Sequence, residues 1–169
     1  IAITYSANFF SNLDIKTPIE RISGTLGVLK PGLLITNTQH MKLLGDLTKL
    51  GVPVLNLDEI DWEQEPTQGA LIEKRLSQRI DTDPFCIINT SGSTGIPKGV
   101  ILNHRSFFDY LRWAIERFHL DGTEIMGSLV PVVFDAYKFE LCLLMMKGAR
   151  LVVLDAMLAA FPVKLLEEV

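Results

Sequence analysis

The segment with the strongest chemical signature is NTSGSTGIPKGVILNH, residues 89–104. Its first eleven residues contain three glycines, two serines, two threonines and one lysine. Glycines let backbone N–H groups approach an anion, hydroxyls donate further hydrogen bonds, and a lysine adds positive charge. The composition therefore predicts a loop that binds phosphate, and a plain flexible surface loop is the alternative interpretation.

The spacing within this loop excludes the common phosphate-binding motifs. A Walker loop needs a glycine, four further residues and then Gly-Lys-Ser/Thr, whereas Gly92 is followed by STGIPKG. The dinucleotide motif GxGxxG and the hydrolase motif GxSxG are also absent. The residues alone therefore indicate a phosphate loop of another type.

The loop lies between two elements that are predicted to belong to the core. The apolar run 85–88 leads into it, and an apolar stripe at helical spacing predicts a helix from about 104 to 119. Further strands are predicted at 33–36, 52–57, 125–133 and, as a buried strand, 149–154. Strands that alternate with helices over short turns are typical of a parallel sheet covered by helices. The sequence therefore predicts an α/β fold, with a mostly parallel sheet flanked by helices.

The remaining predicted helices have recognisable ends. Thr17, Pro18 and Glu20 form a possible capping box at the start of the first of them, which ends at Pro31-Gly32. Thr38 is the predicted cap of a second helix, and a helix near 138–147 is predicted to stop at Gly148. In the helix that Thr38 is predicted to cap, the apolar positions are Leu43, Leu44, Leu47 and Leu50. A further short helix is predicted around 70–79, within a polar surface region.

Composition narrows the classes of function. The 169 residues are 48% hydrophobic and 21% charged, which is typical of a globular protein, and the net charge of −4 argues against a nucleic-acid partner. No apolar run reaches the roughly 18 residues of a membrane span.

Cys86 and Cys142 lie in apolar elements and are predicted to be buried thiols, so we expect a reducing, cytoplasmic location and no metal site built from cysteine and histidine. The chain begins without Met and ends inside a predicted helix, so we expect a piece of a longer polypeptide.

Residues 90–100, TSGSTGIPKGV, resemble the signature phosphate loop of the AMP-binding, acyl-adenylate-forming superfamily at all eleven positions. His104 matches the histidine that commonly follows this loop, FDAYKFE (134–140) resembles the family's FDxSxxE, and TPIERI (17–22) is similar to its PxERI. Two positions depart from the pattern: Asn89 replaces an aromatic residue, and Tyr137 replaces a serine, which leaves the shape of the acyl pocket open. The resemblance implies that residues 1–169 are a partial adenylation domain, the first part of the family's N-terminal domain.

The resemblance also implies a reaction. A carboxylic acid is activated with ATP as acyl-AMP, and the acyl group then passes to a phosphopantetheine thiol on a carrier protein or to CoA. ATP and Mg²⁺ are the implied cofactors, with the ligands of Mg²⁺ mostly outside this chain. Thr94 and Lys98 are the implied catalytic residues. The implied contacts to the β- and γ-phosphates are Thr90, Ser91, Gly92, Ser93, Thr94, Gly95 and Lys98.

Asp135 is the residue on which the predicted substrate depends. It follows an apolar run, where a carboxylate without a partner is costly to bury, and one interpretation is that it caps the next helix. The resemblance implies another: in members that activate amino acids, this aspartate pairs with the substrate's α-ammonium group. Phe139, one helical turn further on, would line the side-chain pocket. These residues favour an amino acid as substrate, and the alternatives are an acyl- or aryl-CoA ligase and a non-catalytic nucleotide-binding fragment.

Overall fold

The computed structural model describes residues 1–42, 45, 51–64, 68–91 and 97–168. These residues fall into two compact units, of which the first comprises Ile1–Arg79 and Asn89–Val100. The second comprises Ile80–Ile88 and Ile101–Val169. Each unit combines helices with a pair of short parallel strands, so the predicted α/β class is confirmed.

The first unit is built around one parallel strand pair and the helix that precedes it. Its elements are α1 (Ala2–Tyr5), α2 (Ile19–Leu29), β1 (Leu34–Thr36), α3 (Thr38–Met41), β2 (Val54–Asn56), a 3₁₀ turn (Leu57–Glu59) and α4 (Gly69–Ser77). Leu34 of β1 lies opposite Val54 of β2. Ile22 and Leu26 form the buried cluster of α2, and Leu13 and Leu34 pack against it.

The predicted helix starts in this unit need correction. Pro18 has an extended backbone (φ −52°, ψ 141°) and is itself the N-cap of α2, without a side-chain hydrogen bond, so the capping box at Thr17 and Glu20 is wrong. The cap of α3 is Asn37 rather than Thr38, because the Asn37 side chain accepts a hydrogen bond from the His40 N–H at 3.0 Å. The apolar positions predicted for the continuation of this helix lie outside the described residues: Leu43, Leu44, Leu47 and Leu50.

The second unit is built around two helices and a second parallel strand pair. Its elements are α5 (His104–Phe118), β5 (Ile125–Ser128), α6 (Asp135–Lys147), β6 (Arg150–Val153), a 3₁₀ turn (Ala156–Ala160) and α7 (Pro162–Glu168). Ile125 of β5 lies opposite Arg150 of β6. The core of the unit is the buried cluster of Phe107, Leu111 and Cys142. Two further strands, β3 (Pro84–Ser91) and β4 (Pro97–Asn103), are hydrogen-bonded neighbours, and each has residues in both units.

Two strand predictions in the second unit are also wrong in part. The strand predicted at 125–133 ends at Ser128, since Pro131 lacks the N–H that a sheet requires and its carbonyl accepts a turn hydrogen bond from Phe134 N at 3.0 Å. The strand predicted to be buried at 149–154 is largely exposed, with Val153 at 80%, because the described residues place no element over its outer face. In contrast, α6 does end at Gly148, whose φ of 74° is left-handed.

Both cysteines are buried free thiols, as predicted. Cys86 has no exposed surface, and its burial raises the pKa of the thiol to about 11. Burial also raises the pKa of Cys142. No described helix combines the length and apolar content needed to cross a bilayer.

Candidate phosphate and substrate sites

The strand pair β3 and β4 holds the two ends of the predicted phosphate loop. Thr90 lies near the end of β3 and Lys98 near the start of β4, and both residues are exposed. The Thr90 Oγ1 donates a hydrogen bond of 3.4 Å to the Lys98 carbonyl oxygen. A hydroxyl and an ammonium side chain are therefore carried on neighbouring strand ends, where both are open to a ligand.

The structure covers only part of the predicted phosphate contacts. It brings Thr90 and Lys98 together and gives Ser91 as the last residue of β3. The residues of the loop itself lie outside the described residues: Gly92, Ser93, Thr94 and Gly95. Their contacts to phosphate stay predictions.

One contact near the loop was missed by sequence reasoning. The Asn89 Nδ2 donates a hydrogen bond of 2.8 Å to the Oγ of Ser11, which ties the strand before the loop to the N-terminal segment. In the family that the sequence resembles, this position is often aromatic, so the Asn89 amide indicates a polar contact here. A partly buried amide needs a polar partner. Nothing in the local pattern points to Ser11 as that partner.

His104 occupies a structural position at the start of α5. Its backbone N–H donates to the Asp83 carbonyl at 3.1 Å, and its ring lies 5.3 Å from the Phe85 ring, centroid to centroid. The helix is capped by Asn103, whose side chain accepts from the Ser106 N–H at 2.8 Å. The strand β4 thus passes directly into a well-formed helix.

Asp135 is the first residue of α6, and the N-cap is Phe134, which makes no side-chain capping bond. The interpretation of Asp135 as the cap is therefore wrong. The side chain is exposed and accepts a hydrogen bond of 2.9 Å from the Ala136 N–H, so the predicted cost of burial does not arise. An acidic residue in the first helical turn is favoured by the helix dipole. The carboxylate is accessible to a cationic ligand.

Phe139 lies one helical turn after Asp135, on the same side of α6. Its ring is partly buried against the Phe107, Leu111 and Cys142 cluster, and its centroid is 5.6 Å from that of Tyr110. This packing fixes the ring. Its role in a substrate pocket stays a prediction.

Lys138 is a second residue that sequence reasoning missed. Its side chain is 2% exposed, and Nζ donates hydrogen bonds of 3.1 Å to the carbonyl oxygens of both Val132 and Phe134. Burial lowers the pKa of Lys138, while the thiol of Cys86 and then the carboxylate of Asp135 act in the opposite direction. The signal was present in the sequence, because Lys138 precedes Cys142, which was predicted to be buried, by four residues and so lies on the same face of the helix.

Glu140, the last residue of FDAYKFE, connects α6 to the end of β5. The Oγ of Ser128, which is buried, donates a hydrogen bond of 2.5 Å to Glu140 Oε2. Within the described ranges, no group of three or more histidine, cysteine, aspartate or glutamate residues comes together, and we assign no magnesium ligand.

Comparisons with known proteins give a consistent result. A family model described as AMP-binding enzyme matches residues 1–169. The D-alanine–D-alanyl carrier protein ligase of Listeria monocytogenes serotype 4b (strain CLIP80459) is 30% identical over 155 residues, which cover 92% of this chain and 30% of the relative. A dimodular nonribosomal peptide synthase of Bacillus subtilis (strain 168) is 34% identical over 141 residues, which cover 83% of this chain and 6% of the synthase.

Among solved structures, the Vibrio cholerae adenylation domain AlmE in complex with glycyl-adenosine-5'-phosphate superimposes with a TM-score of 0.74 at 18% identity. The match covers 99% of this chain and 35% of that chain, and it shows a shared fold. The chain thus spans about 30% of the length of the carrier protein ligase that it matches.

Proposed function

Because the chain belongs to the AMP-binding enzyme family, whose members are ligases, we propose that it is the part of an amino-acid-activating ligase that binds the ATP triphosphate and the acid substrate. The observation that carries this proposal is the contact between Thr90 and Lys98 at the base of the glycine-rich loop. The hydrogen bond from the Thr90 hydroxyl to the Lys98 carbonyl oxygen joins the two ends of a segment rich in backbone N–H donors, and these ends carry a hydroxyl and a lysine side chain.

The proposed first step is an in-line displacement at phosphorus. A carboxylate oxygen of the acid bonds to the α-phosphorus of ATP, and the bond from that phosphorus to the oxygen bridging the α- and β-phosphates breaks. The electron pair leaves with pyrophosphate. Lys98, Thr94 and the loop N–H groups stabilise the charge on that leaving group, which is the main contribution a protein makes to such a reaction. Mg²⁺ supplies further charge neutralisation on the phosphates when it is bound.

Asp135 supplies the proposed selectivity for an amino acid. Its carboxylate is exposed at the start of α6 and so is open to the α-ammonium group of a substrate. A charge-assisted hydrogen bond between these groups favours the amino acid over an acid of the same shape without the amino group. Phe139, one turn along, is placed on the same side and would contact the substrate side chain.

The proposed second step is thioester formation on a carrier protein. The sulfur of a phosphopantetheine thiol bonds to the acyl carbon, the bond from that carbon to the AMP oxygen breaks, and AMP leaves while the thiol proton passes to solvent. A carrier protein is favoured over CoA because the relatives reported above include a D-alanyl carrier protein ligase and a nonribosomal peptide synthase.

The test is substrate-dependent exchange of labelled pyrophosphate into ATP by the full-length protein. We compare amino acids with their counterparts that lack the amino group, in the wild type and in Asp135→Asn. We expect kcat/KM for the preferred amino acid to fall about tenfold to a hundredfold, since the negative charge that pairs with the substrate's ammonium group is lost. Asp109→Asn removes the same charge from an exposed position on α5 and serves as the control.

The outcomes separate the alternatives. If fatty or aryl acids are activated best and Asp135→Asn leaves their turnover intact, the amino-acid assignment is wrong and an acyl- or aryl-CoA ligase is favoured. If no acid supports exchange while ATP still binds, the chain belongs to a non-catalytic nucleotide-binding protein.

A further inference from the structure

We propose that Lys138 is a positioning residue that fixes the backbone before Asp135 and thereby places the Asp135 carboxylate for the substrate's amino group. The inference rests on the proposed function of Asp135. Lys138 itself touches neither substrate nor ATP in this proposal, and it acts through the short segment between β5 and α6.

The geometry of Lys138 carries the inference. Its Nζ donates to the Val132 and Phe134 carbonyl oxygens, at 3.1 Å each. Phe134 is the N-cap of α6, and Asp135 follows it directly. The Lys138 ammonium group thus holds the last residues before α6 against the first turn of that helix. The Asp135 carboxylate, which is the proposed partner of the substrate's amino group, lies in this turn.

The segment that Lys138 holds is a largely exposed turn. Val132 and Phe134 are 45% and 53% exposed. A turn hydrogen bond of 3.0 Å joins the Phe134 N–H to the Pro131 carbonyl. Hydrogen bonds therefore contribute to the backbone position of this segment, and a change at Lys138 should move the Asp135 backbone.

Burying a lysine at a position that serves packing alone would destabilise the fold. Its side chain is nearly fully buried beside the buried thiol of Cys86, and moving an ammonium group out of water is unfavourable unless it is well hydrogen-bonded. An apolar side chain of similar length would fill the same space without that cost. The two carbonyl contacts give the charge a structural purpose, and they leave the Asp135 carboxylate exposed for a ligand.

The experiment compares Lys138→Met and Lys138→Gln in the full-length protein. The methionine fills a similar volume but donates no hydrogen bond, whereas the shorter glutamine amide can reach one carbonyl. Lys147→Met, at the exposed end of the same helix, is the matched control. The two measurements are pyrophosphate exchange, with separate KM values for acid and ATP, and hydrogen–deuterium exchange of the backbone at residues 132–136.

We expect Lys138→Met to raise the KM for the amino acid by about tenfold or more, and Lys138→Gln by about threefold, because two or one of the hydrogen bonds are lost. The KM for ATP should stay within about twofold of the wild type, as a change confined to acid binding requires. Backbone exchange at 132–136 should accelerate in both Lys138 variants and stay unchanged in Lys147→Met.

A double-mutant cycle distinguishes positioning from a general loss of structure. In an Asp135→Asn background, Lys138→Met should add little further increase in the KM for the acid, because its effect acts through the missing carboxylate. Equal effects with and without Asp135 would overturn the proposal, and so would an unchanged KM for the acid in Lys138→Met. If the methionine variant does not fold, an unchanged KM and unchanged backbone exchange in Lys138→Gln would overturn it.

A failure of the proposed function can be distinguished from a failure of the Lys138 proposal. A wild-type protein that activates only acids without an amino group would overturn the assignment of Asp135 to an ammonium group. Since the positioning proposal includes that ammonium group, it would fall too. Faster backbone exchange at 132–136 in Lys138→Met would then establish the structural contact alone.

Discussion

Arg105 and Asp81 form an ion pair with two hydrogen bonds, 2.8 Å from Nε to Oδ2 and 2.7 Å from Nη2 to Oδ1. The Arg105 backbone N–H also donates to the Asp81 carbonyl oxygen at 2.6 Å. These contacts connect the segment before β3 to the first turn of α5. The hydrogen bonds from Arg105 lower the pKa of the Asp81 carboxyl below 3.8.

This ion pair predicts a pH-dependent contribution to stability. Because the folded-state pKa of Asp81 is lowered, the contribution is complete above the unfolded value of 3.8 and is lost as the pH falls through the folded value. We expect Arg105→Gln to lower the melting temperature of the full-length protein slightly at neutral pH and hardly at all at the acid end. The effect is small, since the side chains of Arg105 and Asp81 are 59% and 57% exposed. Thermal unfolding of both proteins across the acid range checks this, and a difference that stays constant with pH would contradict it.

Substitution of Gly122 is expected to destabilise the protein much more than Arg105→Gln does. Its φ is 106°, and a Cβ at this position would lie 2.2 Å from the Lys147 carbonyl oxygen. We expect Gly122→Ala to reduce the free energy of unfolding by about 2–4 kcal/mol, because both the backbone conformation and the contact with the end of α6 are strained. Urea denaturation measures the change.

Gly27 provides the control for this substitution. It lies inside α2 and is exposed, and among the described residues no atom outside the backbone of its own helix and its chain neighbours lies within 4 Å of an added Cβ. Gly27→Ala should therefore increase the free energy of unfolding by about 0.5–1 kcal/mol, as is usual for alanine replacing glycine in a helix. Similar effects at the two positions would show that the close contact at Gly122 is wrong.

Lys98 is expected to act on ATP without supporting the fold. Its side chain is exposed, so Lys98→Ala leaves no cavity in the core. We expect pyrophosphate exchange to slow about tenfold to a hundredfold, the effect of losing a charge-assisted contact, with an unchanged melting temperature. Lys74→Ala, an exposed lysine on α4, should change neither quantity. Unchanged exchange in Lys98→Ala would remove Lys98 from the phosphate site.

The chain expressed alone as residues 1–169 is expected to be inactive and prone to self-association. Large apolar side chains are exposed at several places among the described residues, including Trp62, Val153 and Leu166. Apolar surface of this kind in a soluble chain normally lies against another protein surface. Light scattering and pyrophosphate exchange test the expectation. A monomer that catalyses exchange above background would refute it.

Sequence patterns predicted correctly those features that depend on neighbouring residues in the chain. The apolar stripe on α5 placed both ends of that helix within one residue, and Gly148 marked the end of α6 because it takes a left-handed backbone conformation there. The two cysteines were predicted to be buried from their apolar neighbours alone. The glycine-rich loop was identified by composition and resemblance, and its ends lie on neighbouring strands.

The errors occurred where a distant contact decides the structure. The capping box at Thr17 failed because the backbone of Pro18 stays outside the helix, which a sequence pattern does not reveal. The exposure of Val153 depends on which elements cover β6, and that is a tertiary property. Lys138 and Ser11 were missed because their partners are backbone carbonyls in one case and an amide 78 residues away in the other.

The bond between Asn89 and Ser11 has a consequence for the order of folding. The two parallel strand pairs need only short stretches of chain, since Leu34 pairs with Val54 and Ile125 with Arg150. The Asn89 contact closes a loop of 78 residues, and closing longer loops costs more chain entropy and comes later in folding. We therefore expect the strand before the phosphate loop to become tied to the N-terminal segment after α2 and the β1–β2 pair have formed, so that the surroundings of the candidate phosphate site are completed late in the folding of the first unit.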